Sequence, residues 1–259
     1  HRGSCLRDKG LPFGLNICRV NRSNGYVKLP PIMKKNLVKP LAMLGTLGVA
    51  LATLNLQAAD DLAPLPIKLP IPAFMGTPTD IPLGDLIEKP SDKPRPPFLA
   101  PKGAVNLAAG KKVTSSDKSP ITGSLELVTD GDKESNDNSF VELHRRTQWI
   151  QVDLEKKHKI YAIILWHAHN TWQVYHDVVV QVADDPDFTQ DVKTIYNNDV
   201  DNSSGLGVGT DKEYFEDYQG RLMAAKGVVG RYIRCYSKGS SYSALNRYTE
   251  VEVYGLPAD

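Results

Sequence analysis

The densest run of chemically capable side chains is Trp166-His-Ala-His-Asn-Thr-Trp-Gln-Val-Tyr-His-Asp177, with three of the five histidines beyond residue 1 and the aromatics Trp172 and Tyr175. Three chemistries are open to it. A flat aromatic under the C–H face of a sugar, flanked by polar side chains that read hydroxyls, makes a carbohydrate site; Trp172 and His169 lead that set, with His167 and Tyr175 beside them. His167, His169 and His176 are also a possible imidazole set for a transition metal, although the spacing specifies no third ligand. With Asp177 the same cluster would serve a hydrolase, yet the chain has no nucleophile-elbow or HExxH pattern to complete one. Trp166 and His176 adjoin strand-like runs, a position that also suits closing a core.

A second centre is the acidic turn Asp130-Gly-Asp-Lys-Glu-Ser135. Hard cations such as Ca²⁺ take six to eight oxygen ligands, and Gly131 lets the chain fold so that Asp130 and Asp132 point at one centre. A hydrogen-bonded Asx turn without metal is the alternative. Asp199-Val-Asp-Asn-Ser-Ser-Gly205 imitates a calcium loop, but its glycine comes one position late and Thr210 stands where the twelfth-place Glu belongs, so it reads as an ordinary loop. Asn198 and Asn202 of that loop could still read sugar hydroxyls. The turn Ser237–Ser243 would add Tyr242 if it reaches the same end of the fold.

These centres need a scaffold. From Asn106 onward, short β-forming runs alternate with Gly/Asx/Ser-rich turns. Trp149–Leu154 places Ile150, Val152 and Leu154 on one face, and Ile160–Trp166 is a continuous apolar run suited to a central strand. Asp177–Ala183, Tyr232–Tyr236 and Thr249–Tyr254 complete the set. Several short strands spaced by turns predict an all-β antiparallel jelly-roll sandwich. In such a sandwich the run His167–His176 is a loop at one end, where function concentrates.

Five pieces occur in order: Asn106-Leu-Ala-Ala-Gly-Lys-Lys-Val-Thr-Ser-Ser116, Leu127-Val-Thr-Asp-Gly-Asp132, Gln148-Trp-Ile-Gln-Val-Asp-Leu154, Arg231-Tyr-Ile-Arg234 and Glu250-Val-Glu-Val-Tyr-Gly255. Their succession resembles the discoidin domain, or coagulation factor 5/8 type C domain, of the galactose-binding-like superfamily, in the style of stand-alone exported bacterial proteins. The resemblance covers Asn106–Gly255. It implies a binding module, commonly for glycans, glycoproteins or lipids. It also implies a structural Ca²⁺ held by Asp130, Asp132, Ser135 and Glu250 with carbonyls of Leu127 and Thr249. His169 and Trp172 are similar to the His and stacking aromatic of galactose-type modules; the Asn-and-Arg pair those modules take from a later loop is matched here by Asn alone.

The remaining chain is read by composition. Residues 60–103 carry a Pro-rich stretch from Pro64 to Pro101, which excludes long helices and central strands and forms either a spacer or an arm lying on the domain. Short pieces such as Ile67–Ile71 and Ile81–Leu83 could dock. Met33 with Lys34, Lys35 and Lys39, the apolar run from Leu41 and the small residues Ala58–Ala59 make residues 33–59 a signal peptide. Residues 1–32 then read as an over-extended leader, and residues 104–256 as the discoidin-like domain. The apolar run is too short to anchor the mature chain across a membrane, so a periplasmic or extracellular location is expected.

Residues 60–259 hold 22 Lys/Arg against 29 Asp/Glu, a balance of −7 that argues against a nucleic-acid partner. Cys235 stands alone there, in a strand beside Ile233, as a small buried hydrophobe. The expectation is a non-catalytic exported module for carbohydrate or glycoconjugate. An adhesive or cell-envelope protein–protein domain is the alternative, and a hydrolase built on His167–His176 the third reading.

Overall fold

The computed structural model describes residues 61–74, 84–91 and 93–258. The leader and signal segment expected over residues 1–59 lie outside the described residues, as does Ile81–Leu83. Among the described residues no helix is long and apolar enough to cross a membrane.

The described elements are strands, with one 3-10 turn at Leu125–Thr129. In chain order they are β1 (Leu62–Pro64), β2 (Leu99–Pro101), β3 (Val105–Asn106), β4 (Val113–Ser115), β5 (Val141–Leu143), β6 (Gln148–His167), β7 (Val179–Ala183), β8 (Lys193–Asn197), β9 (Arg221–Ser237) and β10 (Asn246–Pro257). Hydrogen bonding links them in the order β3-β10-β6-β9-β7-β8, with β4 on β6 and β5 on β10, while β1 and β2 form a separate antiparallel ribbon. All these ladders are antiparallel.

The two runs expected as separate strands, Trp149–Leu154 and Ile160–Trp166, are halves of the single long strand β6. Its register against β9 shifts between Asp153 and His158, and Glu155 absorbs the bend with a φ of 68°. The first half pairs with β4 and with Tyr232–Ser237 of β9; the second pairs with β10 and with Arg221–Gly230. The bent strands β6 and β9 therefore run through both layers of the antiparallel sandwich. Ile150, Val152, Leu154, Ile163, Leu165, Val180, Val182, Ile233, Cys235, Val251 and Val253 fill the space between the layers. Burial alone pushes the Cys235 thiol up to about 12, in keeping with a packing role.

The continuous apolar run has a physical cause. Ile163 and Leu165 face the core, whereas Ala162, Ile164 and Trp166 face outward, where Leu65, Ile67 and Phe98 of the Pro-rich segment cover them together with Tyr254 and Leu222. A strand buried on both faces does not alternate. Leu65, Ile67 and Phe98 thus lie as part of an arm on the outer face of the sandwich. Ile71 remains 77% exposed, so only part of the segment expected to dock does so.

Candidate functional site

The loops after β6 (168–178), after β8 (198–220) and after β9 (238–245) meet at one end of the sandwich. Backbone hydrogen bonds tie them together: Ser241 N–H donates to the Val174 carbonyl at 2.8 Å, Glu216 N–H to Gln173 at 2.9 Å and Lys238 N–H to His176 at 2.9 Å. The turn bearing Tyr242 does reach the end that carries Trp172. Two depressions open among these loops, with part of the arm along both.

The larger is a groove of about 640 Å³. Phe74, Trp172, Tyr214 and Phe215 supply its aromatic surface. Trp172 is half-buried, with Phe74 at 4.5 Å between ring centroids and Phe215 edge-on at 5.6 Å. Residues 88–91 and 93–96 of the arm also line it. Two anchors hold the arm there. The Arg221 guanidinium donates to both oxygens of Glu88 at 2.7 and 2.6 Å. Arg95 donates from its backbone to Gln219 Oε1 at 2.7 Å and from its side chain to the Gly220 carbonyl at 2.8 Å. Gly220, at φ 63°, lies so close to the Trp166 ring that a Cβ would stand 2.5 Å from it; glycine lets this wall sit directly on the sheet.

The smaller cavity, about 380 Å³, is lined by His176, Asp177, Asn198, Asp201, Glu213 and Lys238 with the apolar Leu86 and Val200. His176 is held through Nδ1 by Glu213 at 2.7 Å; that hydrogen bond, against some desolvation, raises the imidazole above its ordinary value. Asn198 is buried, accepts the Val178 N–H at 2.6 Å, and leaves its Nδ2 without a partner. Carboxylate oxygens of Asp177, Asp199 and Asp201 lie within 4.8 Å of one another, a set that could hold one metal ion. Burial pushes the Asp199 carboxyl up, but hydrogen bonds from Ser204 and Ser203 outweigh it and bring it below the ordinary range. The Lys238 ammonium, 3.3 Å from Asp177, partly neutralises the set.

The residues expected at the site are divided by the fold. Trp172 lines the groove and Asn198 the cavity. Asn202 is exposed and spends its side-chain oxygen on the Gly207 N–H at 2.7 Å. Tyr242 is 65% exposed and lines neither depression. His167, His169 and Tyr175 are inside. β6 continues through His167, which donates from Nδ1 to buried Glu216 at 2.5 Å and stacks on Tyr175 at 4.0 Å. His169 donates from Nε2 to the Lys133 carbonyl at 2.9 Å. With three separate partners, His167, His169 and His176 do not assemble into one metal-ligating group.

The acidic turn keeps its own hydrogen bonds: Asp130 Oδ1 accepts the Asp132 N–H at 2.8 Å, and Asp132 Oδ1 accepts that of Glu134 at 2.9 Å. Ser135 Oγ accepts the His169 N–H at 2.7 Å. Beneath the turn lies buried Glu250, whose Oε2 accepts the Gly131 N–H at 3.3 Å while Oε1 has no partner. Burial foremost, with the nearby Glu252 and Asp130 charges, pushes its carboxyl up to about 9. A buried carboxylate oxygen without a donor, near the Asp130 carboxylate, is a hard-oxygen environment that fits a divalent cation.

Sequence reasoning missed the Asp177–Asp199–Asp201 set and the arm's share of the groove. The Asp-x-Asp spacing was visible in the first; nothing local marks the second, because the contacts span more than 100 residues.

Residues 127–234 match the family described as F5/F8 type C, a NedA-like galactose-binding domain. No curated protein sequence matches the chain. Among solved structures, the chain aligns with a family 89 glycoside hydrolase from Clostridium perfringens in complex with 2-acetamido-1,2-dideoxynojirmycin, at 21% identity and TM-score 0.44, over 60% of this chain and 15% of that one. It aligns with a Streptococcus pneumoniae fucose binding module at 19% identity and TM-score 0.41, over 59% and 96%. A module produced by Clostridium perfringens, in complex with GlcNAc-α-1,4-galactose, aligns at 18% identity and TM-score 0.42, over 60% and 96%. The chain thus spans only about 15% of the hydrolase.

Proposed function

We propose that this protein, which carries an F5/F8 type C galactose-binding domain, is a non-catalytic module that binds carbohydrate or glycoconjugate in the groove beside Trp172. The observation that carries the reading is the groove itself: an aromatic surface of Phe74, Trp172, Tyr214 and Phe215 beside polar and charged groups, at the loop end of a rigid sandwich. Aromatic faces take up the apolar side of a sugar ring, and polar groups at the rim select its hydroxyls. Two further parts of the reading are a structural Ca²⁺ on Asp130 and Glu250, supported by the unpaired buried oxygen, and export directed by residues 33–59, supported by their composition.

A shallow site for one or two rings gives a Kd of roughly 10 μM to 1 mM, about −7 to −4 kcal/mol, and retention on a polymer then comes from many copies acting together. Binding to an immobilised glycan panel, compared between the wild type and Trp172→Ala, tests the reading. Loss of binding with an unchanged melting temperature supports it. A folded variant that binds like the wild type places the ligand elsewhere.

A further inference from the structure

The groove is not electrically neutral. Among the described residues, its lining holds Lys89, Lys93, Arg95 and Arg221 against Glu88 and Asp217, an excess of two positive charges on a chain whose residues 60–259 carry −7. Arg221 is spent on Glu88, and Arg95 on the Gln219 and Gly220 carbonyls. The excess therefore sits on Lys89 and Lys93, both exposed and neither with a side-chain partner among the described residues. They do not dangle from a free tail: the arm between them and the sandwich is pinned on one side at Glu88, whose N–H also donates to the Glu213 carbonyl at 2.8 Å, and on the other at Arg95. Asp217, the groove's second acid, accepts the Gln219 N–H at 2.7 Å.

We infer that the groove selects glycans bearing an anionic group, a carboxylate or a sulfate ester, whose ring rests on the aromatic surface of Phe74, Trp172 and Phe215 while Lys89 and Lys93 pair with its charge. This rests on the carbohydrate reading and goes beyond it, because it makes the Pro-rich arm a specificity element. Cations held in the same groove as an aromatic surface fix the charged substituent relative to the ring, and among the described residues neither amine spends its donors on a side-chain partner.

The test is calorimetric titration of the full chain with three matched oligosaccharides: a neutral galactose oligomer, its uronic-acid counterpart and its sulfated counterpart. At low salt at least one anionic ligand binds about tenfold more tightly than the neutral one, the order that two half-screened ion pairs supply. The preference shrinks as salt rises. Lys89→Ala/Lys93→Ala, two exposed positions whose loss leaves the core untouched, removes the preference, so that the anionic ligands bind no more tightly than the neutral one. The carboxylate ligand alone loses its advantage below about pH 3, where it protonates, which separates the two sources of charge. Equal affinity for neutral and anionic ligands, or a preference that survives the double substitution, overturns the inference while leaving the carbohydrate reading intact. Binding of none of the three by the wild type overturns both.

Discussion

The two depressions at the loop end are built from the same loops and carry opposite charge. Glu213 lines the small cavity and its neighbours Tyr214 and Phe215 line the groove; Leu86 of the arm serves one and Glu88 the other. Yet the cavity gathers carboxylates whose hydrogen-bonding capacity is largely spent on the surrounding loops, whereas the groove displays an aromatic surface and amines that have no side-chain partner among the described residues. The difference separates polar groups that hold a loop together from polar groups left available. Richness in acids and histidines marks the first kind as readily as the second, and only the state of their partners tells them apart.

The largest effect is expected at a buried acid outside both depressions, which serves as the reference. Glu250 rises from an ordinary 4.5 to about 9. The native state therefore holds a proton that the unfolded chain releases, and stability falls as pH rises from about 4.5 towards 9. In chelator at pH 8, Glu250→Gln should raise stability by ~2–4 kcal/mol. Added Ca²⁺ should stabilise the wild type and not the variant. Calorimetric melting curves that coincide with and without Ca²⁺ would reduce the site to its hydrogen-bonded turn.

Next comes the anchor of the acidic cavity. Asp199 accepts hydrogen bonds from the Ser203 and Ser204 amides and from the Ser204 hydroxyl. Asp199→Ala strands these donors and should cost ~1–3 kcal/mol in urea unfolding. Glycan affinity in the groove should stay within twofold. A large loss of affinity would mean that the two depressions act as one site.

The smallest effect is the cavity's pH response. Glu213 raises the His176 imidazole above 6.5, so its stabilising contribution is fully present below pH 6.5 and is lost as pH rises through the raised value. The pair is partly exposed, and screening limits the effect to less than ~1 kcal/mol. The melting-temperature gap between wild type and Glu213→Gln should therefore be wider at pH 6 than at pH 9; an equal gap would mean that the pair does not titrate with stability.

What the sequence made legible follows the range of the interactions. Alternation in Ile150-Gln-Val-Asp-Leu154 and the turn signals between runs are local, and they lead directly to the antiparallel sandwich. The acidic turn is local too, and its partner Glu250 came through family resemblance. The fusion of two runs into β6 was hidden because the bend at Glu155 looks like a loop in a one-dimensional reading. His167 and His169 could not be placed from composition: His167 is paired by Glu216 and His169 by the Lys133 carbonyl, neither of them a sequence neighbour. Trp172 was legible as an aromatic in a loop. Lys89 and Lys93 were not legible as part of a site, since contacts such as Arg221–Glu88 and Arg95–Gln219, each more than 100 residues apart, bring their segment there.

The central claim is that a sugar ring rests against Trp172, and the three tryptophans permit a direct test. Trp166 is fully buried with its indole N–H on the Tyr218 carbonyl, and Trp149 lies under the Arg234 guanidinium at 4.2 Å. Titration of the full chain with an anionic galactose oligomer, followed through the indole N–H resonances by NMR, should shift the Trp172 signal along a saturable curve and leave the Trp149 and Trp166 signals in place. Saturable binding that leaves the Trp172 signal unmoved would contradict the account.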